Sequence, residues 1–229
     1  MQPFAIAITP NGKTAYVANL SSGTVTPIST TTNTAGPAIK VGNDPWAIAI
    51  TPNGMTAYVL NKNGNGTVTP ISTATNTAGT AVTVGDEPAA MSITPNGKTV
   101  YVANSGSDTV TPISTATNTA GPAIKVGIQP SAIAITPNGM TAYVVNQGFD
   151  TVTPISTATN TAGPAIKVGG EPWAIAITPN GKTVYVVDAV SDAVTPISTP
   201  TNTAGPAIKV GLEPVGIAIT PNGKTVYVA

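Results

Sequence analysis

Apolar and polar positions along this chain alternate in short blocks, and no window carries the 3.6-residue apolar period of an amphipathic helix. Phe4 to Thr9 is an apolar run of strand length, and Thr14 to Ala18 forms a second run after the break at Pro10-Asn11-Gly12. Asn-Gly between two such runs is a strong hairpin signal. A polar turn from Asn19 to Gly23 leads into a third strand, Thr24 to Thr30. A second turn, Thr31 to Gly36, leads into a fourth, Pro37 to Val41, and Gly42 to Pro45 carries the chain to Trp46. The pattern predicts four strands joined by tight turns, and no helices.

This block recurs. Thr-Pro-Asn-Gly begins at Thr9, Thr51, Thr94, Thr136, Thr178 and Thr220, in steps of 42, 43, 42, 42 and 42 residues. A period near forty residues with four strands per unit predicts an all-β fold, a β-propeller of four-stranded antiparallel blades. The expected repeats are 1–42, 43–85, 86–127, 128–169 and 170–211, with a partial copy at 212–229, all in one domain of residues 1–229. Ala-Ile-Ala-Ile in the first strand suits a crowded position near an axis. Proline at Pro37, Pro122, Pro164 and Pro206 suits an outer edge, because proline removes a ladder donor. The third strand also carries proline, at Pro27, Pro70, Pro112, Pro154 and Pro196. Either a bulge sits there or those amides face away from the ladder.

Six inner strand pairs but only five outer pairs are written in the sequence. The expectation is a propeller of six positions whose last blade is incomplete, five full blades plus two strands. One alternative is five blades with the final pair docked elsewhere; another is a truncated or engineered array with no function of its own. The strand ending at Ala229 is then an edge open to pairing with another chain.

The motif Ile-Thr-Pro-Asn-Gly-Lys-Thr-Ala-Tyr-Val-Ala-Asn at residues 8–19, followed by Gly-Thr-Val-Thr-Pro-Ile and Thr-Asn-Thr-Ala-Gly, resembles the YVTN-type β-propeller repeat of surface-layer and other exported bacterial and archaeal proteins. The resemblance covers the whole chain. It implies a secreted or cell-surface scaffold. Tyr-Val-Ala-Asn stands where that family often has Tyr-Val-Thr-Asn.

Composition narrows the chemistry. Cysteine and histidine are absent and every cation is a lysine, nine against nine carboxylates. Triads built on His, thiol nucleophiles and thiolate metal sites are excluded. A formal net charge of zero argues against a nucleic-acid partner. No apolar run reaches the ~20 residues of a membrane span. Charged residues make up 8% of the chain, against about 25% in average soluble proteins; a surface solvated by hydroxyls and amides points to an extracellular or cell-surface setting. The chain opens directly into repeat material, so no signal peptide is expected within it.

Two segments vary between copies: the residues ahead of the first strand, and the turn between strands two and three. Strand direction puts both at one end of a blade, and Thr-Pro-Asn-Gly and Thr-Asn-Thr-Ala-Gly at the other. The variable rim is the expected recognition face, with Phe4, Trp46 and Trp173 beside Asp44, Glu87, Glu171 and Glu213. Aromatic rings next to carboxylates suit a glycan or a peptide. The plain alternative is that each ring fills a gap between blades and each acid caps a turn. Asp108, Asp150 and Asp192 align before the third strand, as turn caps or as contributors to a Ca²⁺ site. Asn19 and Asn65 match the glycosylation acceptor pattern, and the recurring tyrosines Tyr16, Tyr58, Tyr101, Tyr143, Tyr185 and Tyr227 are expected to be structural. The expected function is non-enzymatic: a structural or interaction scaffold that associates with other protein chains or itself, without cofactors. A carbohydrate- or peptide-binding module is the alternative.

Overall fold

In a computed structural model, which describes residues 2–62 and 65–229, the chain is an all-β propeller with an incomplete final blade. Five repeats form five antiparallel sheets of one pattern, and a two-stranded sheet follows. The first sheet sets the pattern: an inner strand Pro3–Ile8, a second strand Thr14–Asn19, a third strand Thr24–Ser29, and two outer segments, Thr34–Ala35 and Ile39–Lys40. The last sheet pairs Ile217–Ile219 with Val226–Val228.

The fourth strand is therefore broken, and the break explains both sets of prolines. Pro37 lies between the two outer segments, where no ladder donor is required. The Gly36 amide donates to the Pro27 carbonyl at 2.8 Å. In an antiparallel strand a residue's N and C=O point to the same side, so the Pro27 ring nitrogen also faces the interrupted strand. Gly79, Gly121, Gly163 and Gly205 repeat this bond to Pro70, Pro112, Pro154 and Pro196. The third-strand prolines thus need no bulge. Glycine suits the position opposite them, since a Cβ on Gly36 would stand 3.2 Å from Pro27 Cγ.

The Thr-Pro-Asn-Gly hairpin is wider than the two-residue Asn-Gly turn expected from sequence. Thr9 and Thr14 close a four-residue loop: the Gly12 amide donates to the Thr9 carbonyl at 2.8 Å, and Gly12 takes φ of 72°. The Thr9 hydroxyl donates to Asn11 Oδ1 at 2.8 Å, and Asn11 Oδ1 also accepts from the Lys13 amide at 3.0 Å. Two turns between second and third strands hold single 3-10 turns, Leu20–Ser22 and Gln147–Phe149, where no helix was expected.

Contacts divide the chain into two compact units, Met1–Ser107 with Thr111–Ala123, and Asp108–Val110 with Ile124–Ala229. Within the first unit, Tyr16, Val25 and Ile39 of the first repeat pack on Ala57, Val59 and Ile71 of the second. Tyr58, Leu60, Val68 and Val82 pack in the same way on Val100, Val102 and Ile113. Within the second unit, Tyr143, Val145, Val152 and Ile166 pack on Val184, Val186 and Ile197. Within each unit a sheet thus presents one flat face to the sheet that follows. A phenol tightens each contact: Tyr16 donates to Asn76 Oδ1 at 2.6 Å, Tyr58 to Asn118 Oδ1 at 2.7 Å and Tyr143 to Asn202 Oδ1 at 2.6 Å. Those asparagines are the left-handed residues of the turn between third and fourth strands, with φ of 52–53°. The structural role expected of these tyrosines is observed.

Candidate functional site

The connections entering the five inner strands after the first are each built around a residue with positive φ followed by proline. Asp44, Glu87, Gln129, Glu171 and Glu213 have φ of 48°, 47°, 54°, 50° and 48°. Next comes a bulge. Pro3 pairs with Asn19 but Ala5 pairs with Ala18, which leaves Phe4 as the extra residue. The same register shift makes Trp46, Ala89, Ser131 and Trp173 the extra residues of their strands. A bulge bends its strand and re-aims one side chain, so the aromatic positions at this rim are the positions that the backbone redirects. The bulge considered for the third strand lies instead in the first.

In the first unit the structure brings three of these groups together. The Phe4 and Trp46 rings stand 4.1 Å apart between centroids, tilted by 33°. Lys62 Nζ lies 4.2 Å from the centroid of the Trp46 ring, a cation–π contact. The Lys62 amide donates to the Asp44 carbonyl at 3.0 Å, so cation and acid belong to one hydrogen-bonded turn. Among the described residues no carboxylate lies within ion-pair distance of Lys62; the ion pair found is Lys167 with Asp150 at 3.3 Å. Phe4 is 46% exposed, Asp44 and Trp46 are half-buried, and Glu87 is exposed.

In the second unit Trp173 is 53% exposed, and Glu171 and Glu213 are exposed. Asp108, Asp150 and Asp192 act as caps, though not of their own turns. Their Oδ1 atoms accept the backbone amides of Gln129, Glu171 and Glu213, 21 residues on, at 2.9, 3.0 and 2.9 Å. They fix the left-handed residues in place. Among the described residues no three acidic side chains converge as metal ligands. Asn19 is buried, which removes it as a glycosylation acceptor; Asn65 is exposed.

Sequence reasoning missed Lys62, because it lies in the one turn that carries an additional residue and matches no repeated lysine. It also missed a charge polarity that was available to it. All nine side-chain carboxylates fall in the variable connections or at the strand end beside them, while Lys13, Lys98, Lys182 and Lys224 follow Thr-Pro-Asn-Gly at the other end. The variable ends hold all nine carboxylates against five lysines, Lys40, Lys62, Lys125, Lys167 and Lys209, and the opposite ends hold lysine as their only charged residue.

The model of the family described as "Lactonase, 7-bladed beta-propeller" matches residues 6–122, just over half of the chain. No curated protein matches it. Among solved structures, Kuenenia stuttgartiensis hydrazine synthase is similar with a TM-score of 0.83 and 26% identity, over 99% of this chain and 73% of that one. Candidate 6-phosphogluconolactonases from Bacteroides uniformis and Bacteroides fragilis match with TM-scores of 0.79 and 0.79 at 19% and 22% identity. They cover 99% and 99% of this chain and 77% and 76% of theirs. At that identity the two show the fold alone. The family match corrects two expectations drawn from sequence, a non-enzymatic structural scaffold or binding module and the absence of an enzyme. The physical reason is that lacking His and Cys excludes imidazole and thiolate chemistry, while hydrolysis of a cyclic ester needs only a base for water and a donor for the oxyanion.

Proposed function

Because the chain belongs to the lactonase family of seven-bladed β-propellers, we propose that it hydrolyses the ring ester of a small, uncharged lactone at the acidic rim of its first unit. Family membership carries the reaction class. The placement is supported by the aromatic–cation grouping Phe4–Trp46–Lys62, whose Lys62 amide bonds the backbone carbonyl of Asp44. In this reading the Asp44 carboxylate takes a proton from water as the oxygen attacks the lactone carbonyl. Lys62, free of a carboxylate partner, donates to the oxyanion. The ring C–O bond then breaks, the proton passes to the departing alkoxide, and a hydroxy acid leaves. The indole and phenyl rings give the sugar-like ring an apolar wall.

An uncharged substrate follows from the rim's charge. The variable end of the first unit carries Asp44, Asp86 and Glu87 against Lys40 and Lys62, and the chain has no arginine to bind a phosphate in bidentate fashion. The finer kinship, to the YVTN-type repeat, belongs to this proposal too and is supported by the motif at residues 8–19.

The test is lactone hydrolysis followed in a pH-stat, with the spontaneous rate subtracted, on glucono-δ-lactone and its 6-phosphate. The neutral lactone turns over faster than the phosphorylated one. Asp44→Asn and Lys62→Met each lower kcat/KM by about 100-fold or more, while Glu171→Gln leaves it unchanged. No turnover of either lactone, or rates indifferent to Asp44→Asn and Lys62→Met, would overturn the assignment.

A further inference from the structure

The chain carries eight Asn-Gly pairs. Asparagine is a thermolabile residue, and it is most labile before glycine, whose unshielded amide nitrogen reaches the asparagine Cγ. Six of the pairs sit in Thr-Pro-Asn-Gly, where the fold locks both reacting groups. In the first copy the Gly12 amide donates to the Thr9 carbonyl at 2.8 Å, and Asn11 Oδ1 accepts from the Thr9 hydroxyl at 2.8 Å and the Lys13 amide at 3.0 Å. The other five copies repeat all three bonds. The nitrogen that would attack is thus held by a carbonyl. The carboxamide that would be attacked is turned to the amide two residues on, an Asx turn.

The pair Asn65-Gly66 is built differently. It lies in the turn between second and third strands of the second repeat, the turn that carries an additional residue. Asn65 is exposed. Among the described residues neither its carboxamide nor the Gly66 amide has a hydrogen-bond partner. Packing also dictates which residue follows Asn65: a Cβ on Gly66 would run into the Gly85 carbonyl and Pro88 Cδ, so glycine is the residue that fits. The fold therefore imposes a labile pair here without the lock that protects the other six. The eighth pair, Asn63-Gly64, lies outside the described residues.

We propose that Asn65 is a site of spontaneous modification, converting to isoaspartate and aspartate in the folded protein while the six Thr-Pro-Asn-Gly asparagines persist. The Gly66 nitrogen gives up its proton and attacks Asn65 Cγ. The new C–N bond closes a succinimide, the Cγ–Nδ2 bond breaks, and the side-chain nitrogen leaves as ammonia with that proton. Water then opens the ring at either carbonyl and leaves isoaspartate or aspartate. The product places a new carboxylate in the turn that carries Lys62. The proposal is independent of the lactonase reading, since the step uses only Asn65, Gly66 and water.

The experiment stores the intact protein at pH 8, digests samples over time at mildly acidic pH, and reads each asparagine by mass spectrometry with fragmentation that separates isoaspartate from aspartate. Expected is a gain of one dalton at Asn65, with isoaspartate in excess, as succinimide opening gives. It accumulates at least about tenfold faster than at Asn11, Asn53, Asn96, Asn138, Asn180 or Asn222, because three hydrogen bonds must open first at each of those. In concentrated urea the six accelerate and the difference closes. An Asn65 that persists in the folded protein, or that the six match in rate, overturns the proposal. So does a gain confined to Asn63. A difference that survives in urea overturns it as well, because neighbouring residues rather than the fold would then set the rates.

Discussion

Asp188 breaks the pattern of its position, and replacing it with asparagine should stabilise the protein in a pH-dependent manner. Repeats one to four place Asn19, Asn61, Asn104 and Asn146 there. Asn61 Nδ2 donates to the hydroxyls of Thr67 at 3.1 Å and Thr69 at 2.9 Å, and Asn146 does the same to Thr151 at 3.1 Å and Thr153 at 2.9 Å. In the fifth repeat the donor becomes a carboxylate and the first threonine becomes Ala193. The surviving Thr195 hydroxyl turns round and donates to Asp188 Oδ2 at 2.6 Å. Asp188 Oδ1 is buried with no hydrogen-bond partner among the described residues. Burial pushes the Asp188 carboxyl above its ordinary value of 3.8, and the Asp150 charge adds to the rise. The Thr195 hydroxyl and the backbone amides of Gly169 and Thr195 offset part of it.

The sign follows from linkage. The folded state holds this proton more tightly than the unfolded chain, so stability is fullest below pH 3.8 and falls as pH climbs through the folded value. Asp188→Asn removes that slope and restores an Nδ2 donor for Thr195. Oδ1 stays without a partner among the described residues, as in Asn61 and Asn146, so at pH 8 the gain is about 0.5–1.5 kcal/mol, the range for the hydrogen bond that Nδ2 restores. In a chain of this size that is roughly 1–6 °C in Tm. The double variant Asp188→Asn/Ala193→Thr adds the second acceptor and about 0.5–1.5 kcal/mol more. Calorimetric unfolding of the wild-type and variant proteins from pH 3.5 to 8.5 reads the difference directly, because the other carboxylates cancel between them. A Tm difference that is flat with pH, or an asparagine variant less stable at pH 8, refutes the reasoning.

The phenol–asparagine contact between sheets should be worth a single hydrogen bond: Tyr58→Phe lowers stability by about 0.5–1.5 kcal/mol, and Asn118→Ala costs more because it also removes a side chain suited to positive φ; denaturant titration of both variants checks the order. Gly42→Ala would place a Cβ 2.6 Å from Asn61 Cγ, so it should destabilise by about 1–3 kcal/mol through overpacking, whereas Gly12→Ala, with nothing within 4 Å, should register only the strain of φ at 72°. Burial raises the phenols of Tyr16, Tyr58, Tyr101 and Tyr143 above their usual 10.0. The unfolded chain therefore loses those protons first, and stability should fall as pH rises above 10; a Tm unchanged between pH 9 and 11.5 would contradict this. Asp150→Ala should free the Glu171 amide and break the ion pair with Lys167, seen as faster amide exchange at Glu171, and should cost about 1–2 kcal/mol through alanine at φ of 51°.

What the sequence disclosed was the strand pattern that repeats with the period of the chain. Strand order, the two rims and the structural tyrosines follow from residues that recur every 42 or 43 positions, because each copy faces the same packing problem. Contacts that join one copy to the next were hidden. Tyr16 and Asn76 are 60 residues apart, and nothing in the local pattern of either pairs a phenol with an asparagine of the following unit. Backbone irregularity was hidden for a different reason. A bulged Trp46 or Trp173 occupies its place in an apolar run without disturbing the alternation, since the extra residue is absorbed by the partner strand, and a fourth strand broken at Pro37 reads the same as an intact one carrying an edge proline. Departures from the repeat were the informative letters, and they were read unevenly. The rings at the rim stood out against Ala89 and Ser131, yet the change from Asn146 to Asp188 and from Thr151 to Ala193 is visible only when two positions are read together. The reaction class was out of reach for a chemical reason. The ester hydrolysis proposed for Asp44 and Lys62 draws on residue types that also serve as turn formers and solubilising charges, so the two carry no signature until the fold sets one carbonyl and one amide of their turn 3.0 Å apart.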